Sequence, residues 1–190
     1  MPASLVLRPF ARPDFDRLLA YGTTEELLQL WAGGFFTYPL DVAQLERYLL
    51  MDIGDPPTSR AFTALDRAGV PVGHIRLTRI DRLNRVAAVA HVLVFDEFRG
   101  RGFGREMLTQ VLRIGFDELG LHRIELLVFD FNQPAVAAYQ HAGMVIEGRL
   151  RDVRQMGDTH WSVYEMSMLE DEWHNRQGTR QHLPLDNPLT

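Results

Sequence analysis

The residues with the clearest chemical pattern are Gly100, Gly102 and Gly104, which alternate with Arg101 and Phe103 in the stretch RGRGFGRE. The stretch lies between an apolar run ending at Phe95 and a helical pattern beginning at Phe103. Glycines so placed let the chain turn sharply and aim successive amides at an anion over a helix N-terminus. Arg99, Arg101 and Arg105 bring positive charge suited to a diphosphate. Two familiar phosphate loops fail on spacing. The dinucleotide fingerprint needs glycine where Arg105 stands, and the NTPase loop needs Gly-Lys-Ser/Thr. A glycine-rich turn without a ligand is the competing reading.

A second stretch changes that balance. Arg99, Gly102 and Gly104 match an Arg/Gln-x-x-Gly-x-Gly/Ala signature, and about 30 residues on, FNQPAVAAYQHAGMVIEGRLRD carries Asn132, then Tyr139, then Gly143 before a strand. In that order and spacing the two resemble the GNAT superfamily of acyl-CoA-dependent N-acetyltransferases, in particular its ribosomal-protein and small-amine branch. With the opening LVLRPFARPDFDRL and the closing hairpin, the resemblance covers roughly residues 4 to 170.

The resemblance implies acetyl-CoA as cosubstrate and no metal. The strand residues Val92, Leu93 and Val94 would pair with the pantetheine arm through their backbone, and one amide would polarise the thioester carbonyl. The loop of Arg99, Gly100, Arg101, Gly102, Phe103, Gly104 and Arg105 would bind the pyrophosphate. Asn132 would hydrogen-bond the pantetheine, and Tyr139 would act as general acid for the leaving thiolate. Seven residues separate the two, about two helical turns, so they share a face. Read without the family, Asn132 is an N-cap and Tyr139 a partly buried core aromatic.

An ammonium must give up a proton, directly or through water, before or during its attack on a thioester, so a base is required. Relatives of this branch commonly carry a glutamate on the strand before the glycine loop, but VAAVAHVLVF has no carboxylate. His91 is the ionisable group on that strand and the first candidate for proton relay, with His74 on the adjacent strand the second. For the acceptor end, Glu25, Glu26, Trp31, Phe35, Phe36 and Tyr38 form an acidic and aromatic connector; of these Glu26, Trp31, Phe36 and Tyr38 are the candidate lining for a cationic amine. The same residues also read as core beside a solvated helix start.

The elements that would position these groups follow from periodicity. SLVLR reads as a strand, and Phe15, Leu18 and Leu19 fall at helical spacing after Pro13-Asp14. TEELLQLWAGG predicts a helix stopped by Gly33-Gly34, and LDVAQLERYLL a second one restarted at Asp41. AFTALD, VPVGHIRLTRI and RVAAVAHVLVF predict an antiparallel meander, after which helix, strand, helix and hairpin alternate. The expected fold is α/β (α+β): a GNAT-like, mixed and mostly antiparallel sheet of six to seven strands, splayed at its centre, with helices on both faces. Residues 1–173 are expected to form one domain and 174–190 a peripheral tail.

Bulk composition narrows the remaining classes. The 190 residues are 46% hydrophobic, enough for one sizeable core. A formal net charge of −5 argues against general phosphate attraction and hence against nucleic acid. The absence of cysteine excludes disulfides and thiolate catalysis, and the seven histidines show no His-x-x-x-His spacing for a metal. No run of about 18 apolar residues suggests a membrane span or leader, so a cytoplasmic protein is expected. The leading function is acetyl transfer to the primary amine of a small molecule or protein N-terminus, by direct attack in a ternary complex. A non-catalytic acyl-CoA sensor is the alternative suggested by the missing carboxylate, and a ribosome-associated interaction protein is a third. The resemblance also suggests a homodimer through the C-terminal strands.

Overall fold

The computed structural model describes residues 5–178. Seven strands form one sheet in the order β1-β2-β3-β4-β5-β7-β6. They are β1 (Val6–Pro9), β2 (Arg60–Leu65), β3 (Pro71–Asp81), β4 (Val86–Val94), β5 (Arg123–Phe129), β6 (Val145–Met156) and β7 (Thr159–Leu169). All neighbours are antiparallel except β4 and β5. The meander and the closing hairpin thus stand where the hydrophobic alternation places them.

Helices cover both faces. On one lie α1 (Phe15–Tyr21), α2 (Glu25–Ala32) and α3 (Val42–Leu50), joined to the sheet by a cluster including Leu28, Trp31, Phe36, Leu45, Tyr48 and Leu93. On the other lie α4 (Phe103–Arg113), α5 (Gln133–Ala142) and α6 (Glu170–Gln177), packed on Ile75, Leu77, Val89 and Ile124. Local chemistry sets the helix ends. The Thr24 hydroxyl accepts from the Leu27 amide at 3.1 Å to start α2, which stops at Gly33 in the left-handed region. Asp41 caps α3 in the same way, accepting from the Gln44 amide at 2.8 Å. Met107, Leu108, Val111 and Leu112 of α4 are fully buried. Each contributes roughly 1.5–3 kcal/mol of burial, which fixes the helix axis and with it the glycine loop at its start. α6 runs through the buried Trp173, whose indole donates to Asp117 at 2.8 Å. The boundary expected at residue 173 therefore falls inside a helix, and positions 179–190 of the expected tail lie outside the described residues.

Two departures from regular pairing make a site. The parallel ladder of β4 with β5 runs only from Val86↔Arg123 to Val89↔Leu126, beyond which the strands part. In β4 itself, the register against β3 jumps between Arg76↔Ala90 and His74↔Leu93, and His91 sits at φ +53°. That is a β-bulge, and its extra residue reverses which face each later side chain meets. Ala87 and Val89 pack with the α4 cluster before it, while Val92 and Val94 do so after it. Strict alternation would send His91 the same way as Val89. The bulge sends it to the α3 side instead. Among the described residues no helix is long and apolar enough to cross a membrane.

Candidate active site

Where β4 and β5 part, a cleft of about 620 Å³ opens. Its walls include Ala90, His91 and Val92 from β4 and Leu127, Val128 and Phe129 from β5. Asn132 and Tyr139 of the α5 segment, Trp31 to Phe35 at the end of α2, and Val153 and Arg154 of β6 complete them. A strand edge without a partner offers amides and carbonyls to any extended ligand laid along it.

The glycine loop precedes α4, immediately after β4. Gly100 (φ +75°) and Gly102 (φ +83°) are left-handed, and a Cβ at either would project into open space. Gly102 is the N-cap of α4, and no side chain caps that helix. The first-turn amides therefore have no side-chain acceptor. Arg99 is paired with Asp96 at 2.8 Å, whereas Arg101 bonds the Glu97 carbonyl at 3.0 Å. Among the described residues neither Arg101 nor Arg105 has a carboxylate partner. Uncapped amides, left-handed glycines and two guanidinium groups without a carboxylate partner among the described residues fit a pyrophosphate.

Asn132 is indeed the cap of α5, its Oδ1 accepting from the Ala135 amide at 3.3 Å, and it lines the cleft as well. Tyr139 is 7% exposed, lies on the cleft wall, and has its hydroxyl pKa pushed above the ordinary value by burial. His91 is half-buried on the same cleft, and its carbonyl accepts from the Trp31 indole at 3.0 Å. The Tyr48 hydroxyl lies between His91 Nδ1 at 3.0 Å and His74 Nε2 at 2.8 Å. Burial, and then the charge of Arg76, pushes the His91 pKa down to about 3. For His74 burial, then His91 and then Arg76 do the same, also to about 3. Both rings are neutral at physiological pH. Arg76, 1% exposed, sits 4.1 Å over the Tyr48 ring and bonds Asp52 at 2.6 Å and Ser59 at 2.7 Å.

The acceptor residues read from sequence do not all meet. Trp31 lines the cleft, as does Phe35. Phe36 and Tyr38 line a separate hollow of about 280 Å³ with Glu25, and Glu26 is exposed at the start of α2, away from both. Sequence reasoning missed Tyr48, Arg76 and Arg154, because their approach depends on sheet register and on the bulge. The one signal for Arg76 was a charge set between Ile75 and Leu77 in a strand pattern.

Comparison with known proteins agrees with this geometry. Residues 4–145 match the model of the acetyltransferase (GNAT) domain. The chain is 27% identical to the spermidine N(1)-acetyltransferase of Vibrio cholerae over 93% of this chain and 99% of that protein. It is 29% identical to an uncharacterized N-acetyltransferase, YokL, from the SPbeta prophage of Bacillus subtilis, over 62% of this chain and 66% of that one. The crystal structure of spermidine N-acetyltransferase from Vibrio cholerae in complex with CoA and spermine superposes with a TM-score of 0.79 at 26% identity, covering 89% of this chain and 97% of that one. With the splayed strands, the open glycine loop and the family match over most of its length, the chain belongs to the GNAT acetyltransferase family and is an acetyl-CoA-dependent N-acetyltransferase.

Proposed function

We propose that this enzyme acetylates the primary amine of a small molecule or protein N-terminus in the cytoplasm, by direct attack within a ternary complex in the β4–β5 cleft. The parting of the two strands after Val89 and Leu126 carries this reading, since it joins a phosphate-type loop to a cleft holding His91 and Tyr139. Residues 99–105 hold the pyrophosphate with loop amides and with Arg101 and Arg105. The backbone of Val92 to Val94 continues the sheet onto the pantetheine arm, and one of its amides polarises the carbonyl. Asn132 bonds the arm where it passes α5. Acetyl-CoA supplies an acyl carbon activated by its thioester.

The amine nitrogen forms the C–N bond with that carbon, the C–S bond breaks, and the sulfur leaves with the electron pair. Tyr139 donates a hydrogen bond to the leaving sulfur. His91, neutral and joined to Tyr48, receives the proton from nitrogen directly or through water. Its depressed basicity does not bar this role. Once bonded to the acyl carbon, the nitrogen is far more acidic than the parent ammonium, so a weak base suffices. Trp31 and Phe35 wall the acceptor end. β6, the outermost strand with Val145, Leu150 and Val153 exposed, is the proposed face of a homodimer.

Calorimetry with acetyl-CoA tests the cofactor half of the proposal, comparing the native chain with Gly102→Val. A β-branched residue at φ +83° strains the loop, so affinity should fall by at least about tenfold. Unchanged affinity would remove the loop from the site. Binding without thiol release on any amine would make the protein an acyl-CoA sensor.

A further inference from the structure

The charges around the acceptor end of the cleft differ from what a polycation needs. Arg76, Arg79 and Arg154 line it, and among the described residues no aspartate or glutamate does. Arg76 and Arg79 are offset from behind the wall, by Asp52 at 2.6 Å and Glu125 at 2.7 Å. Arg154 has no carboxylate partner among the described residues. Its Nε donates to the Gly33 carbonyl at 2.9 Å and its Nη1 to the Val153 carbonyl at 2.9 Å. The Gly33 bond matters because Gly33 is the C-cap of α2, the partly negative end of that helix, and Arg154 occupies its carbonyl. A bulge in β6 makes this reach possible: the register with β7 jumps between Leu150 and Arg154, and Asp152 sits at φ +55°. Deeper in, Arg76 Nε and Nη1 are buried without a hydrogen-bond partner, so that charge is only partly quenched. His91, on the parting strand β4, is neutral.

We propose that the acceptor is a small primary amine carrying its own carboxylate, held by Arg154 and Arg79 with its amino group toward His91. The inference rests on the acetyltransferase reading and names its substrate class. A guanidinium fork is matched to a carboxylate, and a partly enclosed wall strengthens the attraction. A polyamine would meet Arg154 and, among the described residues, no carboxylate on the cleft wall, and the repulsion selects against it. The same field assists chemistry. Positive charge beside an ammonium lowers its pKa and favours the neutral, nucleophilic amine. That gives a physical reason why the cleft operates without the carboxylate base that sequence reasoning looked for and did not find.

The test is thiol release from acetyl-CoA with four acceptors of similar reach: γ-aminobutyrate, n-butylamine, putrescine and spermidine. The native enzyme should favour γ-aminobutyrate over n-butylamine by about tenfold or more in kcat/KM, with putrescine and spermidine lowest. Arg154→Gln should collapse the ratio of γ-aminobutyrate to n-butylamine toward one, and Arg154→Glu should reverse it in favour of putrescine. Arg79→Gln, at a residue with a 67% exposed side chain, gives an independent variant should either Arg154 change fail to fold. Higher kcat/KM for spermidine than for γ-aminobutyrate overturns the proposal and leaves the acetyltransferase intact. So do Arg154 variants that lower all four acceptors equally. If acetyl-CoA binds and no acceptor of any charge is turned over, the transferase reading fails and this proposal with it.

Discussion

The Tyr48 hydroxyl lies 3.0 Å from His91 Nδ1 and thereby ties the β4 bulge to a helix on the opposite side of the cleft wall. The oxygen has one proton to give and also contacts His74 Nε2 at 2.8 Å, so it donates to one ring and accepts from the other. His74 Nδ1 is buried with no partner. The proposed proton-collecting role needs a free lone pair on His91 Nε2, so His91 carries its proton on Nδ1 and donates it to the Tyr48 oxygen, and Tyr48 donates in turn to His74 Nε2.

This chain of bonds has a consequence for stability. Both histidines have pKa values pushed down to about 3, whereas an unfolded histidine titrates near 6.5. Between those values the unfolded chain binds more protons, so stability falls as pH falls from about 6.5 toward 3 and is insensitive to these groups above it. Each such proton costs up to about 1.4 kcal/mol per pH unit. His74→Gln keeps a polar partner for Tyr48 but does not titrate. Urea unfolding at pH 7, 6, 5 and 4 should show the variant losing stability less steeply than the native chain. Parallel losses would mean that His74 is not held neutral.

His91→Gln separates a proton-collecting role from a titrating one. With its pKa far below the assay range, His91 should give the native profile of kcat/KM no inflection between about pH 5 and 9. The ascending limb should instead follow the ammonium of the acceptor. The substitution should lower the whole profile by roughly a hundredfold without moving that limb. An unaltered rate would remove His91 from the reaction. A native inflection near 6.5 that disappears in the variant would show that His91 titrates as an ordinary histidine.

How much of this was legible in the sequence depends on the range of the interactions concerned. The glycine loop is local: Gly100 and Gly102 are needed where φ is positive, and the apolar face of α4 begins at Phe103, all within one short window. Asn132 and Tyr139 are likewise fixed by one helix. His91 could be named but not aimed, since alternation assigns it to the wrong face and a one-residue bulge corrects it. The acceptor end is the least legible. Trp31, Tyr48, Arg76 and Arg154 come from four separate elements, and Arg154 meets Gly33 across 121 positions. Glu26, two positions inside α2 from its cap, shows the limit of composition: the acidic connector exists, but its charge faces solvent while arginines face the cleft.

Tyr139→Phe isolates the last group of the proposed reaction. Burial alone pushes its pKa above the ordinary tyrosine value, so the phenol keeps its proton throughout any practical assay. Full transfer to a thiolate, which is much less basic, is uphill. The useful contribution is a hydrogen bond that strengthens as charge builds on sulfur. Removing the hydroxyl should lower kcat by about ten- to a hundredfold while changing acetyl-CoA affinity by less than about threefold, because the bond is made mainly in the transition state. The native pH profile should have no descending limb below about pH 10 that vanishes in the variant. An equal loss in affinity and turnover would make Tyr139 a wall of the pantetheine channel and nothing more.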